Sequence, residues 1–185
     1  RLSLDGAADG KHVILSEMEI YGTGGVTLRA QAQVPAEGGK LNLTRGEWKI
    51  QRAPQTEADG KQLSTVGFDD QAWLPATVPG TVATSYYNAG AIADIRYDDD
   101  QLQISESWFN SDFWYRNEFE IPADFAGRTL MLNFDGINWK ADVYVTGEQA
   151  GRIEGAVTRG KFDITDLVKA GQTNALAVRI YKNDN

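Results

Sequence analysis

The side chains in this sequence that could do chemistry are carboxylates and indoles. Asp94, Asp98, Asp99, Asp100 and Glu106 fall in one stretch, with Arg96 as its only cation. Oxygen-rich loops of this kind can coordinate Ca2+ or hydrogen-bond sugar hydroxyls. Asp98-Asp99-Asp100 lacks the alternate ligand spacing and central glycine of an EF-hand loop, so no bound metal is expected. Aromatics crowd the residues that follow: Trp108, Phe109, Phe113, Trp114 and Tyr115. An indole can offer a flat apolar face to the C–H face of a sugar ring. Large rings at strand spacing also fill sandwich interiors, and two alternating faces cannot both be a platform. Phe113 and Tyr115 belong to the row expected to face a core. Trp114 and Arg116 lie on the other face, which makes them the candidates for a ligand or a domain interface.

Counting removes other chemistries. Cysteine is absent and His12 is the only histidine, so disulfides, thiolate sites, a multi-histidine metal site and a Ser-His-Asp triad are set aside. His12 has no identifiable partner and reads as structural. Two carboxylates held ~5–10 Å apart across a sugar could hydrolyse a glycosidic bond. Acids are plentiful, yet no spacing nominates such a pair, so no catalytic residue and no cofactor is assigned. The 18 basic and 26 acidic residues give a net charge of −8, the wrong sign for nucleic acid or an anionic membrane. No apolar run approaches the ~20 residues that cross a bilayer. A neutral partner, such as a carbohydrate or another protein surface, suits this charge.

The elements that must position these residues are strands. A chain of 185 residues with 42% hydrophobic composition buries a real core without staples. Ile137 to Val145 alternates apolar and polar residues and stops at Gly147. Phe113 to Ile121 does the same before Pro122, Leu130 to Phe134 before Asp135-Gly136, and Leu176 to Ile180 after the turn residues 171–174. Trp48 to Gln51, Trp73 to Val78 and Gly160 to Ile164 are shorter candidates. Helical signals are confined to one capped turn over Thr165 to Ala170 and a short helix over Val82 to Ala89. The pattern predicts an all-β sandwich or jelly roll with one or two short helical turns. Residues 12–21 form a further candidate strand and Val26 to Val34 alternate weakly. We expect residues 1–34 to be a remnant of an upstream β module, 35–40 a linker and 41–185 the sandwich. The chain opens on Arg1 and stops soon after a strong strand pattern, so it is expected to be a piece of a longer protein.

Three segments together resemble the N-terminal, sugar-binding-like domain of glycoside hydrolase family 2. Phe68-Asp69-Asp70 followed by Trp73 and Val78-Pro79-Gly80 is similar to the family's F-D-D-x-x-W-x-x-A-x-V-P-G signature. Phe113 to Pro122 is similar to its W-Y-R-x-x-F-x-x-P strand. Leu132 to Asn138 with Ala141 to Gly147 is similar to its L-x-F-x-G-[IV]…A-x-V-[YW]-[VL]-N-G hairpin, with Thr146 in place of Asn. Gly155, Phe162 to Thr165 and Ala175 to Ile180 continue the pattern in order. Within the family the likeness is to the β-mannosidase and exo-glucosaminidase branch. Its G-x-I-x-D-P-x-x-G-x-N segment stands here as Gly90 to Asp100, with Ile95, Asp98 and Asp100 replacing Pro, Gly and Asn. Residues Ile14 to Gly22 resemble the end of a discoidin-like module.

The resemblance implies a galactose-binding-domain-like jelly roll that is itself non-catalytic. It implies a downstream (β/α)8 barrel carrying both catalytic carboxylates of a retaining exo-glycosidase. The domain would pack on that barrel and lend the loop Asp94 to Asn110 to the substrate pocket, with Asp98, Asp100, Trp114 and Arg116 nearest the sugar. An exported bacterial protein is expected, although zero cysteines suit a cytosolic one equally. A stand-alone carbohydrate-binding module and an immunoglobulin-like spacer or adhesion domain are the alternatives.

Overall fold

The computed structural model describes residues 3–6, 12–16, 39–94 and 104–183. Its strands in chain order are β1 (Ser3–Gly6), β2 (His12–Ser16), β3 (Lys49–Arg52), β4 (Leu74–Pro75), β5 (Phe113–Glu120), β6 (Thr129–Ile137), β7 (Lys140–Val145), β8 (Glu148–Glu154), β9 (Thr158–Asp163) and β10 (Thr173–Ile180). Two short helices, α1 (Gly60–Leu63) and α2 (Val82–Asn88), interrupt them. Two sheets result, ordered β1-β2-β6-β9 and β4-β3-β5-β10-β7-β8. This is the β-sandwich the alternation requires.

The core lies between the sheets. Phe113, Tyr115 and Phe119 of β5, Leu176 and Val178 of β10, and Ala141, Val143 and Val145 of β7 project inward from the larger sheet. Leu130, Leu132 and Phe134 of β6 meet them from the smaller one. Tyr115 is wholly enclosed, and burial pushes its phenol well above the ordinary range even though Ser85 hydrogen-bonds it. Where the sheets come closest, glycine is required. A Cβ on Gly151 of β8 would run into the Phe162 ring of β9, and one on Gly160 would meet Ile153 at 2.5 Å.

Local signals set the boundaries. Thr81 caps α2, its Oγ1 accepting from Thr84 N at 3.0 Å. Asp59 and Gln62 form a capping box on α1, an element the sequence analysis missed. Thr146 and Gly147 both take positive φ, 46° and 88°, which makes the two-residue turn that joins β7 to β8. One expectation is corrected, one is met, and one strand is new. The strand expected over Trp73 to Val78 contracts to Leu74–Pro75, because Trp73 turns out of the strand into a layer outside the sheet. Pro75 is tolerated because β4 is an edge strand. The turn expected over Thr165 to Ala170 is present, held by Leu167 N on Ile164 O at 2.9 Å and capped by Asp163, whose Oδ1 accepts from Thr165 N at 3.0 Å. β8 was not foreseen. Its residues are mostly polar or glycine, and only Ile153 is buried.

Ahead of the boundary expected at 35–40, β1 and β2 pair antiparallel. β2 then runs parallel to β6, from His12 opposite Thr129 to Leu15 opposite Leu132.

Candidate functional site

Strand β5 places Trp114 and Arg116 on the outer face of the six-stranded sheet, as its alternation demands. Residues 53–73 form a layer over that face. Leu63 and Trp73 pack on Trp114 and Ala177, with Ala53, Ala58, Phe68 and Tyr144 around them. Beneath this layer Arg116 is only 3% exposed, and every nitrogen of its guanidinium is engaged. Nε donates to Leu63 O at 2.9 Å and Nη2 to Thr65 O at 2.8 Å. Nη1 pairs with Asp70 and Nη2 with Glu118. The second oxygen of Asp70 accepts from Lys49 Nζ at 2.6 Å. The F-D-D segment and the W-Y-R strand therefore meet in one buried ion pair, which clamps the outer layer to the sheet.

Beside this clamp a cavity of about 610 Å3 opens between the outer layer and the ends of β5 and β10. Trp114, Tyr144, Asp59, Asn110, Asp112 and Arg179 line it. Trp114 is 4% exposed, so it forms the floor and not the rim. Arg179 lies over its ring at 5.8 Å and donates to Asp112 Oδ2 from Nε at 3.1 Å and Nη2 at 2.8 Å. The other oxygen of Asp112 accepts from Lys182 N at 3.0 Å. Next to it the Tyr181 ring is surrounded by Arg179, Arg152 and Lys140, at 4.9, 5.3 and 5.4 Å. Its hydroxyl donates to Asp142 Oδ2 at 2.5 Å. Desolvation and the Asp142 carboxylate push the Tyr181 phenol up to about 12, against the opposing guanidiniums.

The residues expected nearest a sugar are thus only partly brought together. Trp114 lines the cavity and Arg116 lies in the clamp next to it. Asp98 and Asp100 lie outside the described residues. The start of their loop is anchored, since Asp94 Oδ2 accepts from the Tyr87 hydroxyl at 3.0 Å. At its far end Trp108 reaches solvent against the edge of Tyr86, and Ser107 O accepts from Arg52 Nη2 at 3.0 Å. Sequence reasoning missed Asp112, Arg179 and Tyr181. Only the position of Asp112 just before β5, at a strand mouth, could have signalled one of them.

Comparison with known proteins agrees with this architecture. Residues 48–185 match the family model described as glycosyl hydrolase 2 galactose-binding domain-like. The exo-β-D-glucosaminidase of Streptomyces avermitilis is 34% identical over 140 residues, covering 74% of this chain and 15% of that protein. The mannosylglycoprotein endo-β-mannosidase of Lilium longiflorum is 30% identical over 154 residues, covering 80% and 16%. The crystal structure of the Amycolatopsis orientalis exo-chitosanase superposes with a TM-score of 0.67 at 31% identity, over 75% of this chain and 16% of that one. The chain thus spans about 15% of the length of the relatives it matches. Strand order, the buried motif residues and the match over 48–185 lead to one assignment: the chain belongs to the galactose-binding-like domains of glycosyl hydrolase family 2.

Proposed function

We propose that this chain is the non-catalytic, N-terminal sugar-binding-like domain of a retaining exo-glycosidase. In this reading it packs on a downstream barrel that holds both catalytic carboxylates, and it lends the loop 94–110 to the rim of the substrate pocket. Residues 1–34 are a remnant of an upstream β module, of which β2 pairs with β6, and 35–40 link it to the sandwich. The observation that carries the non-catalytic reading is that the chain spans about 15% of the length of its glycosidase relatives, and the ties of its buried and half-buried carboxylates agree with it. Asp70 is held by Lys49 and Arg116, and Asp112 by Arg179 and the Lys182 amide. A general acid must hold a transferable proton and a nucleophile must present a free oxygen. Carboxylates engaged in this way serve the scaffold.

Two experiments test the reading. The 185-residue chain should release no chromogenic aglycone from aryl β-glucosaminide, β-mannoside or β-glucuronide, and measurable turnover would overturn it. In the full-length enzyme, Asp98→Ala or Asp100→Ala should lower kcat/KM about tenfold or more, the cost of losing a charged hydrogen bond. The melting temperature should not move. Unchanged kinetics would remove the rim role.

A further inference from the structure

Among the described residues the large apolar side chains left exposed are Val66, Trp108 and Val157. Two of them stand at one end of the sandwich. Trp108 lies just ahead of β5, whose first residue, Phe113, pairs with Ile180 of β10. Ile180 pairs on its other side with Ala141 of β7. Val157 belongs to the turn between β8 and β9, at this same end. Lys140 of β7 pairs with Glu154, Gly155 N donates to Trp139 O at 2.8 Å, and Ile137 pairs with Thr158. The polypeptide also leaves β10 here, with Tyr181 N donating to Lys140 O at 3.0 Å.

Val157 is the odd residue of this group. It is 81% exposed and its φ is 61°. A left-handed φ is costly for any side chain with a Cβ and most of all for a β-branched one, whereas Asn or Gly adopts it readily. An isopropyl group left in water also forgoes its burial gain. No neighbour among the described residues repays either cost, since the side chain stands in solvent. Strain held at an exposed position points to a contact made with something else. The turn is tied down on both sides. Gly155 N is bound to Trp139 O, and Thr158 N donates to Gly155 O at 3.4 Å, so the valine is presented on a fixed tip.

We infer that Val157 is a docking knob, seated in an apolar socket on the domain that follows this one in the parent glycosidase. The turn 155–158 is then an interdomain contact separate from the loop 94–110. An isopropyl group has no hydrogen-bonding atom and no flat face, so it suits a protein socket and not a sugar ring. Two observations make the occupant a downstream one. Most of the length of the relatives lies outside the part this chain matches, which is ample for a further domain, and β10 delivers the polypeptide to this end. The upstream strands flank β6 at Thr129 to Leu132 instead, away from its Ile137 end. The inference rests on the reading that a downstream domain packs on the sandwich, and it names the surface.

The test compares the 185-residue chain with the full-length enzyme by amide hydrogen exchange and calorimetry. Amides of residues 155–158 should exchange at least ~10-fold more slowly in the full-length enzyme, where the socket covers them. Val157→Asn should act with opposite sign in the two proteins. In the 185-residue chain it relieves the left-handed strain and should raise Tm by roughly 2–4 °C. In the full-length enzyme it should remove the protection of the turn. Equal exchange in the two proteins, protection that survives Val157→Asn, or a lower Tm of that variant in the 185-residue chain would overturn the proposal. So would protection in the 185-residue chain that grows with its concentration, the mark of a second copy as occupant. The domain's lack of turnover is read from aglycone release and the docking from exchange at the turn, so the two ideas fail separately.

Discussion

Thr146 shows how much one residue of a turn can matter. Its φ of 46° is uncomfortable for a β-branched side chain, and its buried hydroxyl finds no hydrogen-bond partner. Asn tolerates this conformation far better, and Asn-Gly is the preferred pair for such a turn. Thr146→Asn should therefore stabilise the domain by about 1 kcal/mol, raising Tm by roughly 2–4 °C in calorimetry. Tyr181 is a second single-residue test. Its phenol is raised from 10.0 to about 12, so folding favours the protonated form. That contribution is fully present below pH 10.0 and is lost as pH climbs towards about 12. The urea midpoint of Tyr181→Phe should consequently fall less steeply than that of the parent chain over this window.

At the level of elements, the outer layer of residues 53–73 is held by Arg116. Arg116→Ala would leave Asp70, Glu118 and two backbone carbonyls short of a buried partner, at a cost of about 3–5 kcal/mol. Denaturant titration should show that loss in the 185-residue chain with no ligand present. A residue whose only task is to touch sugar would leave the midpoint unchanged. The same layer explains what the sequence could and could not disclose. The inward rows of β5, β7 and β10 were legible because both neighbours of each strand bury the same face, which forces strict alternation. The facing of Trp114 and Arg116 followed from the same rule. The cover over them did not, because α1 is four residues long and its capping box has no apolar stripe beneath it. β8 escaped because an edge strand with one solvated face can be largely polar. Arg179 was hidden for a different reason. It sits in an ordinary alternating strand, and only pairing with β5 brings it to Trp114.

On the scale of the whole molecule, the larger sheet has an unusual centre. β10, the last strand, lies between β5 and β7 and pairs with both. Truncation after Gly171 should therefore abolish cooperative unfolding in circular dichroism, where trimming an edge strand would only lower the midpoint. The strands that pair with β5 come from opposite ends of the chain, β3 about sixty residues before β5 and β10 about sixty after it. A nascent chain leaving the ribosome can pair β3 with β5 and β7 with β8, yet these two ribbons stay unjoined, each with a bare edge. Synthesis must pass Ile180 before a single sheet can exist, so protection of those edges in the cell falls to whatever receives the emerging polypeptide.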